Sequence, residues 1–354
     1  MNQVLFITGG TGGHIFPALA VGEYLRKLNI EPLYLVRKNK FDMNIISQHQ
    51  FTYFTISASG FFGKNFKGIL FFFINLVKNM ITFPVLLIKM KPKAIIASGG
   101  FVSVVPVLWA FLLKKKYFLL EQNRVPGRLT KYFSRWAKEI YLGLPPLSNI
   151  KGTCFYTGNP LRSSFYETTS KVQKKNNTVL VLGGSQGAQF INLNVIETAK
   201  HLPEVNFIIQ TGTKNFEEIQ KLVKSNNCQL IDFTLHPEEL YQKAKIVITR
   251  AGGMVLSEIL FFGLPSIIIP FPFATDNHQA ANAQFLAQNN AAIIINQNRQ
   301  HGLSEDFILQ LMNTLKSIMY DAEKLSEMAK NAQNIAQKNA AQRIAQRISR
   351  CLAE

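Results

Sequence analysis

Apolar residues in this chain fall into short, nearly unbroken blocks, separated by longer stretches where they recur at helical spacing. Val4 to Thr8, Leu33 to Val36, Ala94 to Ala97 and Tyr117 to Leu120 have strand length and almost no polar alternation. Such continuity predicts strands covered on both faces, and their alternation with helix-compatible segments predicts a parallel α/β fold. The pattern restarts after Thr178 with Val179 to Leu182, Phe207 to Ile209, Ile246 to Ile248, Ser266 to Ile269 and Ala292 to Ile295. Two α/β units are therefore expected, at 1–160 and 165–337. Gly158-Asn159-Pro160-Leu161-Arg162 and the polar, lysine-rich Glu167 to Asn177 predict the hinge and linker between them. The tail from Ser317 to Glu354 is expected to be helical, with Ile335, Ile344 and Ile348 as packing residues. Its last part, about 338–354, is expected to pack back on the first unit.

Two glycine turns punctuate these series, Gly9-Gly10-Thr11-Gly12-Gly13-His14 and Gly183-Gly184-Ser185-Gln186-Gly187. Each closes an apolar run and opens a helical one, which leaves unpaired N–H groups at a positive helix end and favours an anion such as phosphate. The alternative for either is a tight turn that packs strand against helix. A helix N-terminus contributes only about 0.3 to 2 kcal/mol toward a bound anion, so other residues must set specificity. Neither turn has the Gly-x-Gly-x-x-Gly spacing, and no Gly-x4-Gly-Lys-Ser/Thr occurs. Arg37 and Lys38 stand where a dinucleotide ribose would need an acid, which argues against a nicotinamide oxidoreductase.

Further candidates lie in the second half. Thr249-Arg250-Ala251-Gly252-Gly253-Met254-Val255-Leu256-Ser257-Glu258 is a third glycine turn, with a cation before it and a carboxylate one helical turn in. Glu258 either accepts hydrogen bonds from a ribose diol or is a solvated helix-face acid. In the proline-rich loop Pro270 to Gln279, Asp276, His278 and Gln279 either address sugar hydroxyls or cap the following helix. His14, leaving the first turn, is either a base for a hydroxyl nucleophile or a helix-start residue bonded to backbone. No His-x-x-x-His or Asp-x-Asp occurs, so no metal is expected.

Charge adds an asymmetry: of a net +18, the first 160 residues hold 20 Lys and Arg against 5 Asp and Glu. Nucleic acid, anionic lipid and phosphorylated substrates all fit such a field. The strip Phe61 to Lys93 narrows the choice. Phe61, Phe62, Phe66, Phe71, Phe72, Phe73, Ile74, Val77 and Ile81 are interspersed with Lys64, Lys67, Lys78, Lys89, Lys91 and Lys93. This mixture suggests a surface that dips into an anionic lipid interface, the alternative being a core helix with a lysine-rich face. Nucleic acid is not expected, because the basic residues sit among phenylalanines rather than along a polar groove. Ala94 to Leu113 lacks charges but is broken by Ser98-Gly99-Gly100 and Pro106, so it reads as strand, turn and helix rather than a membrane span. Cys154, Cys228 and Cys351 fit no disulfide or metal framework, which suggests a reducing compartment, and no secretory signal is read at the start.

Gly9 to Ala20, Glu121-Gln122-Asn123, Gly158 to Arg162, Gly183 to Ala188, Arg250 to Glu258 and Asp276 to Asn282 together resemble the MurG family of N-acetylglucosaminyltransferases. The matches run in order through most of the chain and are weak only in 40–90 and the tail. The resemblance implies a GT-B fold, with two facing Rossmann-like domains around a cleft. It implies inverting transfer from UDP-N-acetylglucosamine to the C4 hydroxyl of the muramoyl sugar of lipid I, undecaprenyl-diphosphate-MurNAc-pentapeptide. No cofactor is implied, and the location is the cytoplasmic face of the cell membrane. Carried over by position, Arg162, Ser185 and the backbone of Gly253, Met254, Val255, Leu256 and Ser257 would face the UDP phosphates. Glu258 would hold the ribose, main chain near Phe233 and Thr234 the uracil, and Asn123 and Gln279 the N-acetylglucosamine hydroxyls. Thr11, Gly12 and Gly13 would line the acceptor side, with His14 as the base. Two positions depart from the family: Leu120 replaces a common His, and Val255 a common hydroxyl residue. A related transferase acting on another lipid such as diacylglycerol, and a non-catalytic nucleotide-sugar binding subunit, are the alternatives.

Overall fold

The computed structural model describes residues 2–57, 66–168, 177–183, 187–298 and 301–354. The chain forms two compact units, Met1–Arg162 with Asn339–Glu354, and Ser163–Lys338.

The first unit runs β1 (Asn2–Thr8), α1 (Gly12–Lys27), β2 (Ile30–Arg37), α2 (Lys40–Gln48), β3 (Thr52–Ile56), α3 (Phe66–Met90), β4 (Ala94–Ala97), α4 (Val104–Leu112), β5 (Tyr117–Glu121), α5 (Arg128–Phe133), β6 (Glu139–Leu142) and β7 (Cys154–Tyr156). Its strands are parallel, in the order β3-β2-β1-β4-β5-β6-β7. The unbroken apolar blocks have the expected cause, since alternate residues of β1 enter different cores. Val4 and Phe6 join Tyr34, Phe118 and α1 on one face, whereas Leu5 and Ile7 join Leu35, Leu119, Phe83 and α4 on the other. Strand order reverses between β1 and β4, the switch point at which open α/β sheets bind ligands.

The second unit runs α6 (Ser163–Thr168), β8 (Thr178–Leu182), α7 (Gln189–Lys200), β9 (Asn206–Gln210), α8 (Phe216–Leu222), β10 (Cys228–Ile231), α9 (Pro237–Lys243), β11 (Ile246–Thr249), α10 (Gly253–Phe262), β12 (Ser266–Ile268), α11 (His278–Gln288), β13 (Ala292–Ile294), α12 (Glu305–Met319) and α13 (Ala322–Ile335). Its parallel sheet has the order β10-β9-β8-β11-β12-β13, with the switch point between β8 and β11. Val179, Val181, Phe207, Ile246 and Ile248 pack beneath α7 and α12.

The expected helical tail is broken: α12 runs on to Met319, α13 ends at Ile335, and α14 (Ala340–Ala353) follows Asn339, whose φ is +57°. The α14 helix packs on α1, burying Ile344, Ile348 and Cys351 in the first unit's core. Arg347 clamps it there by two hydrogen bonds to Glu139, at 2.9 and 2.7 Å, while its guanidinium lies 3.3 Å from the Phe155 ring centroid. Four strands, β3, β6, β7 and β10, lie outside the apolar blocks read from sequence. They are edge or near-edge strands with polar residues interleaved, as in Thr52-Tyr53-Phe54-Thr55-Ile56 and Cys228-Gln229-Leu230-Ile231.

Candidate functional site

In the first unit, the β1 turn is built from residues far apart in sequence. Gly9 and Gly10 have φ of +141° and +98°, where an L side chain is strained. A Cβ at Gly9 would also lie 2.5 Å from Asp42 Oδ2. That same oxygen accepts the Gly10 N–H at 2.9 Å, and Arg37 Nε stands 3.7 Å away. Asp42 is fully buried, and Asn39 fixes it by accepting its backbone N–H as the α2 cap. The turn is thus held from outside, and α1 begins at Gly12 with no side chain capping it.

His14 lies in the first turn of α1, its Nδ1 buried with no hydrogen-bond partner. A second glycine turn follows β4 and covers the ring. Gly99 and Gly100 have φ of +96° and +76°, and a Cβ at Gly99 would come 3.0 Å from His14 Cε1. Burial pushes the imidazole below its ordinary value, against the opposing pull of Glu121, the Ser98 main chain, Gln122 and Asp42. The neutral form therefore predominates at neutral pH, which is the form a base requires.

Glu121-Gln122-Asn123 closes β5, the next strand. Glu121 Oε2 accepts from Gly127 N–H at 2.8 Å and the Thr130 hydroxyl at 2.7 Å, while Oε1 accepts the Asn123 N–H at 3.2 Å. Glu121 therefore shapes the loop that presents Asn123. The Gln122 amide donates to Ser98 and Leu120 carbonyls, each at 3.2 Å, tying this loop to the β4 turn. Arg162 places its guanidinium 4.3 Å from the ring centroid of Phe16, a residue of α1 packed against the first unit's core.

In the second unit, the Gly183 turn and the Gly252 turn follow β8 and β11, the two strands at the switch point. Gly187 has φ of +76°, and a Cβ there would meet the Thr211 carbonyl at 2.2 Å, so close packing accounts for this glycine. Ser185 lies outside the described residues, as do Phe61, Phe62, Lys64 and the centre of the 167–177 linker. Gly252 is different: its φ is −70°, and a Cβ there would meet nothing within 4 Å. Open space faces this turn, and α10 begins with no side-chain cap. Met254 and Leu256 are buried, and Val255 and Ser257 are half-buried. Ser257 turns its hydroxyl back to the Gly253 carbonyl at 3.0 Å.

The cation before this turn has a structural task. Arg250 donates to the Ile269 and Pro270 carbonyls at 3.0 and 3.3 Å and to Gln297 Oε1 at 2.7 Å, and burial lowers its pKa to about 10. Gln279 accepts from both Ala251 N–H at 3.2 Å and Phe271 N–H at 2.9 Å, bracing the β11 loop against the β12 loop. Asn282, fully buried, donates to the Ala251 carbonyl at 3.0 Å. Glu258 is largely buried, and its Oε2 accepts the Tyr241 hydroxyl at 2.7 Å. Thr234, beyond β10, accepts the His236 N–H at 3.0 Å.

The sequence reading gave no role at the site to Asp42, Asn282 or Tyr241, and it read Gly99-Gly100 as a turn without connecting it to His14. Gly99-Gly100 repeats the strand, glycine, helix order and was legible as such. Asp42 stands three residues after the Asn39 cap, a local signal for a helix start but not for the long-range bond to Gly10. Nothing near Tyr241 points to Glu258, 17 residues on. Among the described residues, no three His, Cys, Asp or Glu side chains are grouped to hold a metal ion.

Two parallel α/β units, each with a glycine turn at its switch point and an uncapped helix behind it, define the GT-B class of glycosyltransferases. Residues 4–142 match the glycosyltransferase family 28 N-terminal domain, and 178–348 the family 28 C-terminal domain. The UDP-N-acetylglucosamine–N-acetylmuramyl-(pentapeptide) pyrophosphoryl-undecaprenol N-acetylglucosamine transferase of Leptospira interrogans is 34% identical, over 93% of this chain and 94% of its own. The protein of that name from Coxiella burnetii is 33% identical, over 97% of both chains. The crystal structure of Acinetobacter baumannii MurG has a TM-score of 0.77 at 26% identity, covering 99% of this chain and 100% of that one. CalG4, the calicheamicin glycosyltransferase, shares the fold with a TM-score of 0.72 at 13% identity. The chain belongs to the MurG family, within glycosyltransferase family 28.

Proposed function

We propose that the second unit holds UDP-N-acetylglucosamine, that the first receives the lipid-linked acceptor, and that His14 is the base of the transfer between them. The protein is an N-acetylglucosaminyltransferase of peptidoglycan synthesis that converts lipid I to lipid II. The muramoyl C4 hydroxyl gives its proton to His14 as its oxygen attacks the sugar's anomeric carbon from the face opposite UDP. The bond from that carbon to the UDP oxygen breaks, UDP leaves as the anion, and the configuration inverts. The uncapped start of α10 meets the leaving diphosphate with the N–H groups of Gly253, Met254 and Val255, helped by Ser185 and Arg162, whereas the Leu256 N–H of the expected Gly253 to Ser257 stretch is already given to the Gly252 carbonyl at 3.1 Å. Glu258 takes the ribose, main chain at Phe233 and Thr234 the uracil, and Asn123 and Gln279 the sugar hydroxyls. Thr11, Gly12 and Gly13 meet the acceptor diphosphate.

One observation carries this reading: the buried, neutral imidazole of His14, its Nδ1 without a hydrogen-bond partner, at a switch-point helix start. A pure binding module has no use for a desolvated base there.

The acceptor's lipid calls for a membrane surface, and α3 supplies one. Leu70, Phe71, Phe73, Ile74, Val77, Ile81, Val85 and Ile88 are exposed along it, Ile88 by 70%. Residues Ile69–Met90 are long and apolar enough to cross a bilayer, but Phe83 and Leu87 are in the first unit's core and the Trp109 indole donates to the Met80 carbonyl at 3.0 Å. Packed along one face against the sheet core of the first unit, α3 is read as lying on the interface rather than across it. Lys78, Lys89, Lys91, Lys93 and Lys114 to Lys116 meet the anionic cytoplasmic leaflet, each adding about 1 kcal/mol.

The test incubates the purified protein with radiolabelled UDP-N-acetylglucosamine and a lipid I analogue, with diacylglycerol in a parallel reaction. Labelled lipid II is the expected product. Label on diacylglycerol alone overturns the acceptor assignment.

A further inference from the structure

The Tyr241 hydroxyl that donates to Glu258 is the one polar atom of a ring set deep in the second unit. The tyrosine is fully buried, its ring stacked on Phe262 with centroids 5.3 Å apart at 21°, and tilted against Phe165 at 6.2 Å. Clamped between two aromatic side chains from α10 and α6, the ring cannot swing, so its hydroxyl is a fixed point. Glu258 has three rotatable side-chain bonds, and this hydroxyl is a fixed anchor for its carboxylate beside the α10 turn. A carboxylate offers about four lone-pair sites, so the bond from the phenol does not by itself exhaust its acceptor capacity.

We propose that Tyr241 is a positioning residue that sets the rotamer of Glu258 for the ribose and so gives the donor site its preference for ribonucleotide over 2′-deoxyribonucleotide diphosphates. This rests on Glu258 as the ribose ligand. A cis-diol can be gripped by two hydrogen bonds only if the carboxylate is already aimed, because a mobile carboxylate must be ordered at the moment of binding. A 2′-deoxyribose offers one hydroxyl instead of two and gains less from the aim. Loss of the phenol therefore penalises the ribonucleotide more than its deoxy analogue.

The test measures UDP and 2′-deoxy-UDP binding calorimetrically on the full chain, comparing wild type with Tyr241→Phe, which keeps the ring and removes only the hydroxyl. Wild type is expected to prefer UDP by about tenfold, as for one or two hydrogen bonds to a charged group. In Tyr241→Phe, UDP affinity should fall about fivefold to tenfold and 2′-deoxy-UDP affinity less than twofold, so the preference collapses. With UDP-N-acetylglucosamine as substrate, KM should rise by a larger factor than kcat falls. Both ligands report on the same folded fraction, so partial unfolding cannot mimic a changed ratio. An unchanged ratio in Tyr241→Phe overturns the proposal. A parallel Glu258→Gln variant separates the two readings. If it keeps the wild-type ratio, Glu258 is not the ribose ligand. If it loses the ratio while Tyr241→Phe keeps it, Glu258 stands and only Tyr241's role falls.

Discussion

The two units solve the same architectural problem with opposite use of side chains. Both place a glycine turn at a switch point and leave the following helix uncapped, whereas α2, α12 and α13 are capped by Asn39, Ser304 and Asp321. In the first unit, Asp42 and Gly99-Gly100 crowd the turn until one imidazole is dry. In the second, Arg250, Gln279 and Asn282 hold the loops back and leave space in front of Gly252. One construction tunes a titratable group, and the other keeps backbone donors open. Under the proposed roles, the same fold supplies chemistry in the first unit and recognition in the second.

The largest expected effect isolates the chemical side. His14→Ala should lower turnover by about 10²- to 10⁴-fold, the range for a general base, while leaving UDP affinity nearly unchanged by calorimetry. A comparable loss of UDP affinity would erase the division of labour. Because burial lowers the His14 pKa from its ordinary 6.5, the neutral base persists at neutral pH. Activity should fall only as pH drops through a value below 6.5, and a pH–rate profile whose acid limb lies above that value would contradict the dry site.

A second contrast concerns lipid, which the proposed function assigns to the first unit alone. Phe71→Ser with Phe73→Ser removes two rings that are 62% and 50% exposed. The pair should weaken partition onto anionic vesicles by about 3 kcal/mol, roughly a hundredfold, with no fall in Tm. Vesicle sedimentation checks it, and equal binding by wild type and variant would mean that the strip serves another surface.

The smallest effect probes the two turns by one substitution. Gly9→Ala forces a side chain into φ +141° against Asp42 and should cost about 2 kcal/mol of stability. Gly252→Ala has an ordinary φ and open space, so stability should hold while the added methyl weakens UDP binding. Thermal unfolding paired with UDP titration separates them, and similar behaviour of both variants would undo the comparison.

What could be read from the sequence follows the reach of each interaction. Central strands are buried on both faces, so Ala94 to Ala97 and Val179 to Leu182 announce themselves by unbroken apolar runs. Edge strands such as Thr52 to Ile56 face solvent on one side and lose that signal. The glycine turns and His14 are local features and were visible. Arg250 could be read only as a cation before a glycine turn, because its partners, Ile269, Pro270 and Gln297, arrive through the sheet. Asp42 and Tyr241 act on residues 32 and 17 positions away, and only packing brings those pairs together.

The clamp of Arg347 on Glu139 has a consequence for how the chain is made. Residues 339–354 complete the first unit, yet the whole second unit is synthesised before them. During translation, the apolar flank of α1 that Ile344 and Ile348 cover waits through about 175 further residues, roughly ten to thirty-five seconds at 5–20 residues per second. The nascent first domain thus stays open on that flank until the second unit has been made, because α14 is not available to cover it before then.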